Sequence, residues 1–373
     1  MSAFSATDKR MMRLALGLGA RHLGQTWPNP SVGCVIAKGD RILGCAVTAK
    51  GGVPHAEPQA LAQAGKAAKG ATAYVTLEPC SHHGKTPPCA EALIASGITR
   101  LVYAVGDPNP KVAGKGAKML ADAGIVVDHG LCEEQATWQN LGFFKSITQN
   151  RPMITLKLAT TLDGKIATQS GESQWITGPE ARRYTHLLRA QHDAIMVGSG
   201  TVHADDPSLT VRRLGDMPNP VRVILDSNLS IPKTSTLVTT SEDTPLWILH
   251  GEKAVADLPK TVTLMPAKTS EDGLDLTDAL ARLAKQGITR LFVEGGAKLA
   301  GNLIRHDLVD QIVLMQAGKI IGAEGLSAVG PTGLNLLKDA ANFELHQRLE
   351  LGADIITHWR VVDATGTQKL IVG

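Results

Sequence analysis

Apolar and polar residues along this chain fall into short blocks separated by proline, glycine and asparagine. In the first half, apolar runs at 32–37, 71–77 and 100–105 predict buried strands, and an alanine-rich stretch at 57–68 predicts a helix between the first two. A second short helix is expected at 90–96, closed by Gly97. At the start of the chain Asp8, Lys9, Arg10 and Arg13 interleave with Met11, Met12, Leu14 and Leu18, a pattern that predicts an amphipathic helix rather than a signal peptide. The character changes near residue 147, where Phe143-Phe144 closes an apolar unit, 145–152 is polar and 153–159 opens a new strand. Two domains are therefore expected, 1–147 and 148–373. The second shows further strands at 193–197, 221–225, 290–293 and 311–315, with helices at 179–190 and 275–286. Both halves read as α/β, a layout that places chemistry at strand ends. The run Gly97-Ile98-Thr99-Arg100-Leu101 returns as Gly287-Ile288-Thr289-Arg290-Leu291, but the flanking motifs differ, and a glycine that stops a helix before a strand explains both.

Composition narrows the partners. A length of 373 residues suits about two domains, and 43% hydrophobic residues suffice for ordinary cores. A net charge of +3, 3% aromatic residues and the lack of a basic run argue against nucleic acid. No stretch approaches the roughly 18 uncharged apolar residues of a membrane span. Five cysteines are too few for a disulfide framework; Cys34, Cys45 and Cys132 read as small core or half-buried residues in a reducing compartment, with the cytoplasm as the default.

The chemistry is carried by His55-Ala56-Glu57, followed by Pro79-Cys80 and by Cys89. One imidazole and two thiolates occupy three corners of a zinc tetrahedron, leaving the fourth for a water whose pKa falls from about 15.7 to about 7. Within a helix, side chains two residues apart diverge by about 200°, so His55 and Glu57 can share a pocket only at a helix N-terminus. Glu57 is then free to move protons, taking one from water and delivering it to a departing amine. That combination reads as a hydrolytic deaminase. The dipole of the helix at 90–96 is expected to favour an anionic sulfur at Cys89. The spacing between the cysteines is C-x8-C, longer than the pair typical of deaminases acting on nucleosides and nucleic-acid bases. A closed structural zinc site completed by His82 or His83 is the alternative, and the free carboxylate of Glu57 argues against it. Asn29 and Asn109, both beside prolines, are candidate contacts to a polar heterocycle or plain turn residues; Lys85 is a weaker candidate for a phosphate or ring oxygen.

In the second half, Gly198-Ser199-Gly200-Thr201 and Glu294-Gly295-Gly296 follow strands and are candidate anion cradles, although neither fits G-x-G-x-x-G. The polar clusters 161–165, 173–177 and 204–212, with Arg182, Arg183, Arg189 and Arg212, suggest a polar, phosphorylated ligand without naming it.

Through Pro28-Asn29-Pro30, Pro54-His55-Ala56-Glu57, Glu78-Pro79-Cys80-Ser81-His82 to Cys89, Ser173-Gln174-Trp175-Ile176-Thr177, Ala204-Asp205-Asp206-Pro207 and Val293-Glu294-Gly295-Gly296, the whole chain resembles the bifunctional riboflavin-biosynthesis deaminase/reductase family. The resemblance implies an N-terminal cytidine-deaminase-like three-layer α/β/α domain and a C-terminal dihydrofolate-reductase-like α/β domain. It further implies zinc held by His55, Cys80 and Cys89, with Glu57 as the catalytic acid/base in removing an exocyclic amine from a diaminopyrimidinone ribosylamino phosphate. NADPH would then reduce the sugar to the ribityl product. Carried over by position, Ala159, Trp175, Thr201, Asp205, Ser227, Gly296, Ala297, Lys298, Leu299, Ala300, Gly301 and Asn302 are expected to line the NADPH site. Ser173, Arg189, Leu209, Arg212 and Glu294 are expected to touch substrate, Asp163 and Lys165 to be structural, and a homodimer through the reductase half is implied. No basic residue is assigned to the NADPH 2′-phosphate by sequence, so the choice of NADPH over NADH rests on the resemblance. The family commonly has a histidine seven residues before the zinc histidine where this chain has Thr48, and an acidic pair where it has Asp310-Gln311. Thr48 keeps a hydroxyl and loses an imidazole, so intact zinc binding with weaker substrate contact is expected.

Overall fold

The computed structural model describes residues 4–83, 87–110, 112–254 and 257–363. The chain forms two compact units that meet after Asn150.

The first unit runs α1 (Ala6–Ala20), β1 (Gly33–Lys38), β2 (Arg41–Val47), α2 (Ala56–Ala64), β3 (Thr72–Val75), α3 (Cys89–Ala95), β4 (Arg100–Tyr103), α4 (Lys115–Asp122), β5 (Val126–His129) and α5 (Glu133–Thr148). Helix α1 starts where Ser5 and Asp8 cap one another reciprocally, and it buries Met11, Met12, Ala15 and Leu18 at helical spacing. The sheet order is β2-β1-β3-β4-β5, antiparallel at β1 and parallel from β3 onward. Two glycines show how closely helices press on both faces. A Cβ on Gly33 would collide with the Ala15 carbonyl of α1, and one on Gly44 with the Ala60 carbonyl of α2. Gly44 pairs with Ile36, three residues along β1 from Gly33, so the two helices lie on opposite faces and the unit has three layers.

The predicted strands and helices are present with shifted ends. The helix expected over 57–68 stops as α2 at Ala64, because Gly65 adopts φ 53°, ψ −138°, and continues only as a 3₁₀ turn. The strand expected to reach residue 77 ends at Val75, since the hydroxyl of Thr76 turns back to accept from the Gly33 amide. Strands β2 and β5 are additions. Both are sheet edges; β5 (Val126-Val127-Asp128-His129) is largely exposed and lacks an apolar run, whereas the apolar run 42–47 of β2 was passed over by the sequence reading.

The second unit contains β6 (Met153–Thr160), β7 (Lys165–Ala167), α6 (Pro179–Ala190), β8 (Ala194–Gly198), α7 (Ser199–Asp205), β9 (Val221–Leu225), α8 (Thr236–Thr239), β10 (Leu246–Gly251), β11 (Val262–Ala267), β12 (Thr269–Ser270), β13 (Gly273–Leu274), α9 (Leu276–Lys285), β14 (Arg290–Val293), α10 (Ala297–Arg305), β15 (Gln311–Gln316), β16 (Leu326–Ser327), β17 (Asn342–Leu351) and β18 (Asp354–Val362). Its nine-stranded sheet has the order β11-β10-β9-β8-β14-β6-β15-β18-β17, parallel up to β15 and antiparallel beyond. This is the dihydrofolate-reductase-like α/β unit expected. Helix α9 is capped by Asp275, whose carboxylate accepts from the amides of Thr277 and Asp278. Strand β17 escaped the sequence pattern because it carries Glu344, His346, Gln347, Arg348 and Glu350 along an exposed edge. Gln311 is buried between Thr155, whose hydroxyl donates to its amide oxygen, and His358. A neutral amide in place of an acid therefore suits its site.

Candidate active site

In the first unit the metal ligands come from three elements. His55 is the N-cap residue of α2 but makes no capping bond with its ring, which points at the cysteines. Cys80 follows β3, and Cys89 is the first residue of α3. The donor atoms lie within 4.8 Å of one another, with His55 Nδ1 3.3 Å from Cys89 Sγ and 3.7 Å from Cys80 Sγ. Bond lengths of about 2.3 Å for Zn–S and about 2.05 Å for Zn–N in a tetrahedron require S···N separations of about 3.6 Å. The three residues therefore fit zinc.

The electrostatics point the same way. Cys80 is pulled down to about 4 by a hydrogen bond from Cys89 and by the His55 ring, and it also accepts the Cys89 backbone amide at 3.3 Å. Cys89 is pushed up by that same hydrogen bond to Cys80 and by burial. The amide at the start of α3 thus serves the Cys80 sulfur. His55 is raised by its bond to Cys80. Glu57, in the first turn of α2 and 4% exposed, is raised mainly by burial, with the negative field of Cys80 adding to it. A divalent cation would relieve this crowding of acidic groups, and Glu57 beside it is poised to hold a proton.

A cleft of about 330 Å³ opens at the ligands, bordered by Asn29, Thr48, Glu57, Glu78, His82, Asp107 and Asn109. Asn29 is fixed by its Nδ2 donating to the Gly52 carbonyl at 2.9 Å. Thr48 is 2% exposed, and its Oγ1 accepts from the Val32 amide at 3.0 Å. Its hydroxyl is thus committed to the fold rather than aimed at a ligand. Lys85 lies outside the described residues. Glu78, His82 and Asp107 were not singled out by the sequence reading as ligand contacts. Asp107 is raised to about 6 by burial and by the nearby Glu78; its place two residues before Asn109, just after the apolar run at 100–105, was the available signal.

In the second unit the candidates gather at one edge of the sheet. Ala159 on β6, Thr201 and Asp205 on α7, Ser227 beyond β9, and Glu294 and Gly296 beyond β14 all sit at or past the C-terminal ends of parallel strands. Gly198 and Gly296 are the N-cap residues of α7 and α10, and a Cβ on Gly296 would lie 3.8 Å from Thr201 Oγ1, so the two glycine turns are neighbours. Along α10, Ala297, Lys298, Leu299 and Asn302 are at least partly accessible. Ala300 is buried in the core, and a Cβ on Gly301 would meet the Gly330 carbonyl at 2.8 Å.

Arg189 makes a two-pronged ion pair with Glu294, Nε to Oε1 at 2.6 Å and Nη2 to Oε2 at 3.0 Å, and its Nη1 donates to the Thr210 carbonyl at 2.8 Å. Burial pushes Glu294 up, but Arg189 outweighs it and holds the carboxylate below its usual range. Lys157, on the same face of β6 as Ala159, is lowered by burial and feels both Glu294 and Arg189. Sequence reading passed over it; a lysine inside the apolar run Met153–Thr160 was the signal. Trp175 is 61% exposed with the Arg182 guanidinium 4.6 Å from its ring, Ser173 lies in the same loop as Trp175, the Arg212 amide donates to His186 Nδ1 at 3.3 Å, and Leu209 is buried with φ 50°. The Asp163 carboxylate accepts from Thr161 Oγ1 and from the Ile321 and Gly322 amides, a structural tie as expected.

A zinc-site deaminase fold followed by a reductase fold defines a bifunctional enzyme. Residues 5–105 match the model for the cytidine and deoxycytidylate deaminase zinc-binding region, and residues 152–357 match the RibD C-terminal domain. The chain is 44% identical to the riboflavin biosynthesis protein RibD of Aquifex aeolicus, over 95% of this chain and 98% of that one. It is 42% identical to RibD of Escherichia coli, over 94% and 98%. Among solved structures, Acinetobacter baumannii RibD superposes with TM-score 0.86 at 37% identity, covering 96% of this chain and 99% of that one. The Thermotoga maritima diaminohydroxyphosphoribosylaminopyrimidine deaminase/5-amino-6-(5-phosphoribosylamino)uracil reductase does so with TM-score 0.85 at 34% identity, covering 95% and 99%. The chain belongs to the RibD family of riboflavin biosynthesis proteins.

Proposed function

We propose that this chain deaminates 2,5-diamino-6-ribosylamino-4(3H)-pyrimidinone 5′-phosphate and then reduces the product with NADPH to 5-amino-6-ribitylaminouracil 5′-phosphate. The observation that carries the first step is the buried carboxylate of Glu57 beside the three donors His55, Cys80 and Cys89. Zinc held there supplies Lewis-acid activation of water at neutral pH. Glu57, raised by burial, accepts a proton from the attacking water and passes it to the exocyclic nitrogen, which leaves as ammonia. Asn29, Asp107 and Asn109, which border the same cleft, are assigned to the ring, and Lys85 to the substrate's phosphate or a ring oxygen.

For the second step NADPH supplies the hydride. The glycine turns at Gly198 and Gly296 offer backbone amides to its phosphates, with Ala159, Trp175, Thr201, Asp205, Ser227 and the accessible part of 296–302 around it. Ser173, Leu209, Arg212 and the Arg189–Glu294 pair are assigned to the substrate. Lys157, whose burial lowers its hold on a proton, donates that proton to the nitrogen of the open-chain imine as hydride arrives at the sugar's C1′. We assign the chain to the cytoplasm, in keeping with five free cysteines and with the finding that no helix among the described residues is long and apolar enough to cross a membrane. We assign it a homodimer through the second unit, on the family resemblance.

The test is NADPH oxidation after adding the diaminopyrimidinone phosphate to zinc-loaded protein, with Glu57→Gln as control. Oxidation by the native chain and silence from Glu57→Gln, restored by supplying the deaminated compound, is the expected result. A native chain that oxidises no NADPH with either compound would sink the reading.

A further inference from the structure

Glu78 is 4% exposed at the border of the deaminase cleft, yet each backbone amide bound to its carboxylate belongs to the far wall. Oε2 accepts from the Gly114 amide at 3.0 Å and from Asp107 at 3.4 Å, and Oε1 accepts from Ala117 at 3.1 Å. Asp107 hands the constraint on, its Oδ1 accepting from the Asn109 amide at 2.8 Å. Gly116 lets the start of α4 lie directly on the metal strand's extension, since a Cβ there would collide with the Pro79 carbonyl. The loop bearing Asp107 and Asn109 is thus tied to the metal side of the cleft by one carboxylate taking charge-assisted hydrogen bonds.

We propose that Glu78 is a positioning residue of the deaminase site, setting the distance between the zinc ligands and the wall formed by Asp107 and Asn109. This rests on the deaminase reading above. His55 and Glu57 hang on α2 and Cys89 on α3, and Cys80, two residues after Glu78, is held by the Cys89 amide at 3.3 Å rather than by the Glu78 carboxylate. Loss of the Glu78 carboxylate therefore loosens the grip on substrate and leaves the metal and the proton carrier in place.

The experiment uses full-length, zinc-loaded Glu78→Gln. It measures kcat and KM for release of ammonia from the diaminopyrimidinone phosphate, zinc per chain, and reduction of the already deaminated compound. The expected result is a KM raised about tenfold or more with kcat within about threefold, and with zinc content and reduction at native values. A second variant, Ala117→Pro, removes one donor from the opposite side in the first turn of α4, where proline is tolerated. It raises KM in the same direction by about threefold, and it decides the matter if Glu78→Gln does not fold. An unchanged KM in both variants, a fall in kcat at constant KM, or loss of zinc from Glu78→Gln would each overturn the proposal. A native chain that releases no ammonia would remove the deaminase reading itself, a failure visible before any variant is made.

Discussion

Replacing Arg189 with alanine leaves the Glu294 carboxylate buried without its two-pronged partner. The side chains are 11% and 10% exposed, so solvent screening offers little relief. Two unit charges about 4 Å apart at an effective dielectric of about 20 attract by about 4 kcal/mol, and breaking such a buried pair from one side costs about 3–5 kcal/mol. Lys157 remains near Glu294 and offsets part of this, which places the expected loss near the lower end, about 3 kcal/mol. The pH dependence fixes the sign. Glu294 is held below its ordinary value in the native chain, so the pair's contribution is present above that ordinary value and is lost as pH falls through the folded one. In Arg189→Ala the unpaired carboxylate resists ionisation, and its cost grows as pH rises. The gap between native and variant should therefore be full above the ordinary carboxylate range and shrink as pH falls below it. Hydrogen exchange at β14 and β6 reads the second unit, with β3 and β4 of the first as internal standard. Arg189→Met combined with Glu294→Leu should restore most of the loss, because neither charge is then buried alone. A loss below about 1 kcal/mol, or one that does not vary with pH, would refute the reasoning.

Three further outcomes are expected. Glu57→Gln should keep zinc and lose deamination by about 10²–10⁴-fold, with reduction of the deaminated compound intact; retention of more than a tenth of the deaminase rate would remove Glu57 from its role. Chelation should abolish ammonia release and expose Cys80 to alkylation ahead of Cys89, because its thiol is pulled down to about 4 whereas that of Cys89 is pushed up; mass spectrometry of the modified peptides gives the order, and prior labelling of Cys89 would contradict it. Thr48→Val should cost about 1–2 kcal/mol through the lost bond to the Val32 amide while leaving KM within about twofold; a large rise in KM would mean that the hydroxyl meets substrate after all.

The metal site was legible in the chain because each of its parts is one residue type at a short spacing, and the position of Glu57 two residues after His55 demanded the helix start that α2 provides. The paired helices and central strands were legible for a similar reason, since local apolar periodicity reports burial directly. What lay beyond reach depends on contacts between segments distant in sequence. Glu78 meets Gly114 and Ala117 only because β3 and β4 are neighbours, and Lys157 meets Glu294 only because β6 and β14 pair. Strand β17 was hidden because an exposed, charged edge strand carries no hydrophobic signature, whereas the alternating buried positions of β18 were there to be read.

The contact of Gly44 with the Ala60 carbonyl has a mechanical meaning. Glu57 and Ala60 share α2 and His55 is its N-cap, so a side chain at position 44 would push on the element that carries the imidazole and the proton carrier together, as a single piston. Cys80 and Cys89 would stay behind on other elements. The reach of the metal clasp is therefore set from the outer strand of the sheet, by an atom that is missing there, and the spacing between ligand and acid/base stays constant while the bite of the site widens or closes.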